Sequence, residues 1–252
     1  MILNPKLDTF LNKFPYLFER GKTSIYSPDG LSKFEVRQNT SDKVTVWEAF
    51  KLKAYYDKEL KIKSKDIVVD IGGNIGSFAV WAAQQCLLGH VFVYEPFKPS
   101  FDQLQKNLSL NKLHNVSAFN KAVTSSDGFL NLYVNEMSPV FNSSFKTKFV
   151  EKEITVPKIS LENVLKENNL HKVDFLKIDV EGSEYDIILN SPSSVFKKVE
   201  KIYLEYHTNK EIGIGFPKLV AKLQAEGFIT NVKRNLFTIS WGETGYIKAY
   251  KN

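Results

Sequence analysis

One cysteine, Cys86, is all the thiol this 252-residue chain carries. A disulfide framework is therefore excluded, and a reducing compartment is the simplest reading. Cys86 falls inside an apolar helical pattern, where a small buried side chain is expected rather than a nucleophile. No apolar run approaches the ~20 residues of a membrane span. The start, MILNPKLDTFLNKF, mixes charged with apolar residues and lacks a small-residue cleavage site. It does not read as a signal peptide, so the expected location is the cytoplasm. Dense basic tracts are also missing. The formal charge is +6, but residues 1–65 carry 13 Lys+Arg against 8 Asp+Glu, whereas residues 66–252 carry 21 against 20. The N-terminal lysines are scattered, with clustering in KLK, KIK and KSK, so a nucleic-acid groove is not expected. Peripheral contact with a membrane surface stays open. Internal repeats and low-complexity linkers are absent too.

What the chain does have, from Asp66 onward, is alternation. DIVVDI is a continuous apolar run, as in a strand buried on both faces. GSFAVWAAQQCLLG has helical periodicity up to Gly89. HVFVYEP reads as a strand, KPSFDQLQKNLSLNKL as a helix with Pro99 in its first turn, and NVSAFNKAV as a third strand. GFLNLYVNE alternates like a half-exposed strand. VDFLKIDV is a buried strand, GSEYDIILNSP a helix, KVEKIYLEYH a strand, and FPKLVAKLQAEG a helix stopped by Gly227. FITNVK, LFTISW and YIKAYK close the chain as strands. Strands separated by such helices give a parallel α/β sheet, and the short connections at the end make at least one final strand antiparallel. Residues 1–62 read differently, with a β-segment at SKFEVR and a helix over VWEAFKLKAYYDKEL. They are expected to form a helical/β cap on the domain of residues 63–252.

The turn after the first buried strand is Gly72-Gly73-Asn74-Ile75-Gly76. A nicotinamide or flavin fingerprint wants glycine where Asn74 stands, so that backbone can approach a pyrophosphate. The turn has no G-K-[ST] ending, which disfavours ATP or GTP. S-adenosylmethionine carries no pyrophosphate. Asp70 supplies negative charge for its sulfonium and amine, the glycines admit its methionine part, and Glu95 can accept both ribose hydroxyls.

FLKIDVEGSEYDIIL holds a second polar set. Lys177 and Asp179 share one face of an otherwise apolar strand, and a buried Lys needs a partner or a function. Glu181 follows in the loop. Ser183 is expected to cap the next helix, with Glu184 or Asp186 in its first turn. On the next strand Glu205 and His207 share a face. Asp179, Glu181, Glu205 and His207 thus reach one cleft. His207 titrates near neutrality and is the preferred general base, ahead of Asp179 and Glu181, while Lys177 is expected to fix Asp179. A Mg²⁺ or Ca²⁺ ion on these oxygens is conceivable but not favoured. His90, His114 and His171 are incidental.

The blocks DIVVDIGGNIGSFAV, VYEPFKPSFDQLQKNL, NKAV, NSSF, VPKISLENVL, VDFLKIDVEGSEYDIIL and IYLEYH occur in the order seen in FkbM-type methyltransferases. The chain resembles that family from about Asp66 to His207. The resemblance implies a class I S-adenosylmethionine-dependent methyltransferase with a Rossmann-like sheet of seven strands, the last antiparallel. It implies O-methylation of a hydroxyl on a sugar, glycolipid or polyketide-like molecule. By the same resemblance Asp70, Gly72, Gly73, Asn74 and Gly76 line the methionine and ribose, and Glu95, with Pro96 beside it, holds the ribose hydroxyls. Asn120 to Ala122 approach the adenine, and Asp179 and Glu181 stand between methyl group and acceptor. Two other readings remain: an RNA ribose 2′-O-methyltransferase, and a non-catalytic protein keeping the fold. Oligomeric state is not legible.

Overall fold

Alternating apolar and amphipathic runs become alternating strands and helices. The computed structural model describes residues 22–38, 40–51, 55, 58–134, 152–207, 215–234 and 244–252. The elements are β1 (Thr23–Tyr26), β2 (Phe34–Arg37), α1 (Asp42–Phe50), β3 (Ile67–Ile71), α2 (Ser77–Gln85), β4 (His90–Tyr94), α3 (Lys98–Leu110), β5 (Val116–Phe119), β6 (Ala122–Thr124), β7 (Gly128–Val134) and β8 (Lys152–Ser160). They continue with α4 (Leu161–Glu167), β9 (Phe175–Ile178), α5 (Glu184–Asn190), α6 (Ser193–Phe196), β10 (Lys201–His207), α7 (Phe216–Ala225), β11 (Ile229–Arg234) and β12 (Thr244–Tyr250).

The main sheet has seven strands in the order β5-β4-β3-β9-β10-β12-β11. Strands β5 through β10 are parallel, and β12, the last in the chain, runs antiparallel to both its neighbours. This is the expected sheet. Its period-two alternation sorts residues onto two faces. Ile71, Ile178 and Leu204 pack into one core with α4, α5 and α7. Val68, Phe175 and Tyr203 pack into the other, under α2 and the N-terminal elements. Asp70 lies two residues from Val68, Lys177 two from Phe175, and Glu205 and His207 two and four from Tyr203. All four polar residues therefore belong to the second face.

The N-terminal elements are stapled to that face. Phe34 and Val46 are fully buried, each worth ~1.5–3 kcal/mol. Gln103, Asn107 and Asn111 recur every four residues along one face of α3 and bond the β2 segment. Asn107 Oδ1 accepts from Glu35 N–H (2.8 Å), Asn111 Oδ1 from Lys33 N–H (2.9 Å), and Gln103 Nε2 donates to the Glu35 carbonyl (2.8 Å). Asn107 Nδ2 also donates to the Ile75 carbonyl (2.8 Å), so one buried amide ties the cap to the glycine turn. Arg37 grips the buried Asp42 through Nε and Nη2, which starts α1 at Asp42.

Several expectations change. NVSAFNKAV is two strands: β5 stays in the main sheet and β6 joins a three-stranded sheet of order β6-β8-β7. The break falls at Asn120, whose Nδ2 donates to the carbonyls of Glu95 and Pro96 (2.8 and 2.9 Å) and turns the chain out of the sheet. Helix α2 ends at Gln85 rather than running to Gly89. Asn115 Nδ2 takes up the Ala83 and Cys86 carbonyls there. Helix α1 covers only the first part of VWEAFKLKAYYDKEL, and residues 52–54 and 56–57 lie outside the described residues, as do MILNPKLDTFLNKF, NSSF and LFTISW. Cys86 is buried, and burial pushes its thiol up to about 11, which fits packing. No described helix is long and apolar enough to cross a membrane.

Candidate active site

The site starts where β3 ends. Asp70 is fully buried, and neither of its carboxylate oxygens makes a hydrogen bond. Gly72, Asn74 and Gly76 follow with φ of 85°, 47° and 87°. Glycine is required at 72 for a second reason: a Cβ there would stand 1.9 Å from the Asp179 carbonyl oxygen. The N–H groups of Gly72 and Gly73 both donate to the Tyr94 carbonyl at 3.0 Å, which fastens the turn to β4. Gly73 leaves no room either, because its Cβ would meet Val93 at 2.3 Å.

Glu95, just past β4, reaches across this turn. Its Oε2 accepts from Asn74 N–H and its Oε1 from Phe97 N–H, both at 2.8 Å. Burial pushes its carboxyl up to about 7, against the pull of these two N–H donors. Each oxygen keeps a free lone pair, the pattern a vicinal diol can fill. Asn74 Oδ1 is buried without a partner beside it. Asn120 and Ala122 are the residues expected near the adenine. The Asn120 amide holds the Glu95–Pro96 main chain, and Ala122 packs with Phe97, Leu132, Val134 and Val156.

Sheet register builds the second half. Asp70 is opposite Lys177 on β9, and Lys177 is opposite Tyr203 on β10. Lys177 is buried between two carboxylates, with Nζ 3.3 Å from Asp70 Oδ1 and 3.1 Å from Asp179 Oδ2. Nζ also donates to the Gly72 carbonyl at 3.3 Å and lies over the Phe78 ring. Burial would lower the Lys177 pKa, but Asp179 and Asp70 outweigh it and hold the ammonium charged. Burial would raise Asp179, but the charges of Lys177 and His207 hold it below its ordinary value. Asp70 is raised because burial outweighs Lys177. The expected pairing of Lys177 with Asp179 is thus present, and it includes Asp70.

His207 ends β10 inside a ring of carboxylates. Nε2 lies 3.4 Å from Glu181 Oε1 and 3.7 Å from Glu205 Oε1, and Nδ1 lies 3.4 Å from Glu184 Oε1. Burial would lower the His207 pKa, but Glu181, Glu184 and Glu205 raise it well above the ordinary value. The carboxylates thus favour the charged form of the ring, which has no lone pair to take a proton. That counts against His207 as the base and in favour of a neighbouring carboxylate. Burial raises Glu181 to about 7 and Glu205 well above its usual range.

The structure gives Glu184 a further role and adds Tyr55, Tyr203, Tyr246 and Glu48, which lay outside the sequence reading. Ser183 makes no capping hydrogen bond. Glu184 stands in the first turn of α5, as expected, and also joins the loop to β10: Oε2 accepts from Gly182 N–H and Oε1 from His207 N–H, both at 2.7 Å. Tyr55, Tyr203 and Tyr246 form an aromatic wall, with ring centroids 5.1 and 5.3 Å apart, and Tyr246 pairs with Glu205 across the sheet. Tyr203 could have been found by its two-residue spacing from Glu205. Glu48 comes from α1, and its carboxyl is raised by burial and by the Asp179 charge. Nothing local in the sequence marks it.

A glycine turn closed by a carboxylate, beside a Lys-bridged acidic pair at adjacent strand ends, stands in a sheet with one antiparallel strand. The same fold occurs in a SAM-dependent methyltransferase from Agrobacterium tumefaciens (TM-score 0.53, 10% identity, 94% of this chain and 72% of that one). The class is that of S-adenosylmethionine-dependent methyltransferases. Residues 70–230 match the Methyltransferase FkbM domain, and the chain belongs to that family. Similar proteins include Methyltransferase 1 of Beauveria bassiana, 26% identical over 186 residues (66% of this chain, 74% of that protein). Hexuronic acid methyltransferase AglP of Haloferax volcanii is 27% identical over 161 residues (64% of this chain, 62% of that protein).

Proposed function

We propose that this methyltransferase transfers the methyl group of S-adenosylmethionine to a hydroxyl of a small molecule or glycan. The observation that carries the reading is the Glu95 carboxylate pinned across the glycine turn, one strand away from the buried Asp70–Lys177–Asp179 chain. The Asp70 carboxylate, with a single ion-pair partner in Lys177 among the described residues, and the buried Asn74 Oδ1, with no hydrogen-bond partner, fit a ligand rich in donors and positive charge. Asp70 and the glycines would hold the methionine end, and Glu95 the ribose. The bound donor supplies an activated methyl on sulfur. The protein then has to align the acceptor and exclude water. Glu181, facing His207 from the loop after β9, is placed to take the hydroxyl proton, with His207 steadying the carboxylates.

Thermal shift and calorimetry test the donor. S-adenosylmethionine and S-adenosylhomocysteine are expected to stabilise the protein and NAD to leave it unchanged; the reverse order would sink the reading. Glu95 adds a pH signature. In the free protein it is half protonated near pH 7. Ribose hydroxyls donate to the ionised form, so binding expels that proton and weakens as pH falls. S-adenosylhomocysteine affinity is expected to drop by up to about tenfold per pH unit below 7 and to level off above it. Glu95→Gln should bind more weakly at pH 8 and lose the slope, because its NH₂ would face a backbone N–H. A slope that persists in this variant assigns the proton elsewhere. His207→Ala is expected to lower turnover far more than S-adenosylhomocysteine affinity, and equal losses would remove it from the acceptor side.

A further inference from the structure

Three leucines project from the end of the sheet opposite the cleft. Leu87 and Leu88 form the turn between α2 and β4, and Leu31 lies in the turn between β1 and β2. They are 69%, 72% and 86% exposed. Hydrogen bonds bring these turns together. Gln84 Nε2 donates to Ser32 Oγ at 3.0 Å, one residue from Leu31 and three from Leu87. Leu88 N–H donates to the Ser64 carbonyl at 2.8 Å, which places the leucines beside the turn of residues 63–66. Gly89 packs so closely there that a Cβ would stand 2.0 Å from the Asp66 carbonyl oxygen, so the turn is fixed with its leucines outward. The charges free for a partner here are positive. Lys33, Lys63 and Lys65 are exposed, and among the described residues none of them has an ion-pair partner. They belong to the basic excess of residues 1–65, which the active site leaves unused. The acids of the same turns are spent inward. Asp66 is buried and accepts Lys63 N–H at 2.9 Å. Asp29 accepts from Leu31 N–H and Ser32 N–H at 3.0 and 2.7 Å.

We infer that Leu31, Leu87 and Leu88, with Lys33, Lys63 and Lys65 around them, dock this protein on an anionic lipid bilayer. An exposed apolar patch with a polar rim marks a contact surface. Exposures this high belong to projecting tips, which can enter a soft interface, and not to a groove that receives a protein segment. Leucines enter the boundary between headgroups and acyl chains, while lysines stay at the surface and meet the lipid phosphates. The topology also sets the orientation. The patch lies at the amino ends of β3 and β4, and Asp70 and Glu95 stand at or just past their carboxyl ends. Both strands are five residues long, which separates patch from cleft by roughly 15 Å. The docked protein therefore holds its cleft away from the bilayer, open to ligands in water.

Co-sedimentation of the full chain with vesicles of equal parts phosphatidylcholine and phosphatidylglycerol tests the surface. The protein is expected to bind these vesicles, to release as salt rises, and to bind pure phosphatidylcholine at least about tenfold more weakly. Leu87→Ser combined with Leu88→Ser should weaken binding at least about tenfold. Lys33→Gln, Lys63→Gln and Lys65→Gln together should do the same. Phe129→Ser removes another apolar side chain, 73% exposed, from β7 outside the patch, and should bind as the parent does. All these positions are exposed, so the unfolding midpoints should match the parent's. No binding to the anionic vesicles overturns the proposal. Binding that survives the leucine substitutions overturns it too, because charge alone then suffices. So does an equal loss in Phe129→Ser, which makes the binding general adhesion. A dimer in sedimentation velocity that the leucine substitutions dissolve gives the patch to a second copy of this chain and also overturns the proposal.

Discussion

Lys177→Met is expected to cost about 3–5 kcal/mol of stability, the usual loss when one partner of a buried ion pair is removed. Methionine fills nearly the same volume and still packs against Phe78, so little of the loss is a cavity. What remains is charge. Asp70 is fully buried, and among the described residues Lys177 is the cation within ion-pair distance of it. Asp179 loses its 3.1 Å partner, and the Gly72 carbonyl loses a donor. Urea denaturation at pH 7 and pH 5 reads the effect and its sign. Asp70 is already raised in the folded protein by burial, and without Lys177 it rises further. A carboxyl that is raised on folding binds more protons folded than unfolded, so it subtracts stability as pH rises. The penalty should therefore be smaller at pH 5 than at pH 7. A double variant, Asp70→Asn with Lys177→Met, should recover part of the loss. Equal losses at both pH values would show that Lys177 acts by packing, not charge.

Why Lys177 was visible in the sequence, and Glu184 only half so, is a matter of range. A Lys in an apolar strand violates a local rule, and the violation itself points to a partner. The main sheet was legible too: β3, β9 and β10 are largely apolar runs with polar residues gathered toward their carboxyl ends. Period two pairs Lys177 with Asp179 and Glu205 with His207 from the sequence, and the sheet register brings Asp70 onto the same face. The three-stranded sheet was not legible. Strand β8, KEITVPKIS, mixes an exposed lysine and an exposed proline with buried Val156, Ile159 and Ser160, and its pairing with β6 and β7 is set by register, not by pattern. Glu184 meets His207 across 23 residues, and Glu48 reaches the site from the cap. Neither contact has a sequence period to betray it. The charge state of His207 was out of reach for a related reason. An imidazole has an ordinary pKa in a sequence, and only the folded chain puts three carboxylates around it.

Gly72→Ala is expected to be the most damaging change of one small residue for another, and Gly227→Ala is its control. Both glycines have left-handed backbone, with φ of 85° and 88°. Both therefore pay the ~1–2 kcal/mol that an L side chain costs in that region. Nothing lies within 4 Å of a Cβ at Gly227. At Gly72 the Cβ would stand 1.9 Å from the Asp179 carbonyl oxygen and 2.9 Å from its carbon. That contact is backbone on backbone, so no rotamer change can relieve it. Asp179 N–H is also bonded to the Ile71 carbonyl at 3.0 Å, so the two strand ends must part or the turn must open. Either movement displaces Asp179 relative to Asp70 and Lys177. A loss above about 4 kcal/mol is expected for Gly72→Ala, against ~1–2 kcal/mol for Gly227→Ala. Displacement of about 1 Å at reacting groups costs ~10²-fold in rate. Any folded Gly72→Ala protein should accordingly lose turnover by that order and bind S-adenosylhomocysteine weakly, whereas Gly227→Ala should keep both. If denaturation midpoints and turnover of the two variants coincide, the left-handed backbone alone explains position 72, and the close approach of β3 to β9 is not what requires its glycine.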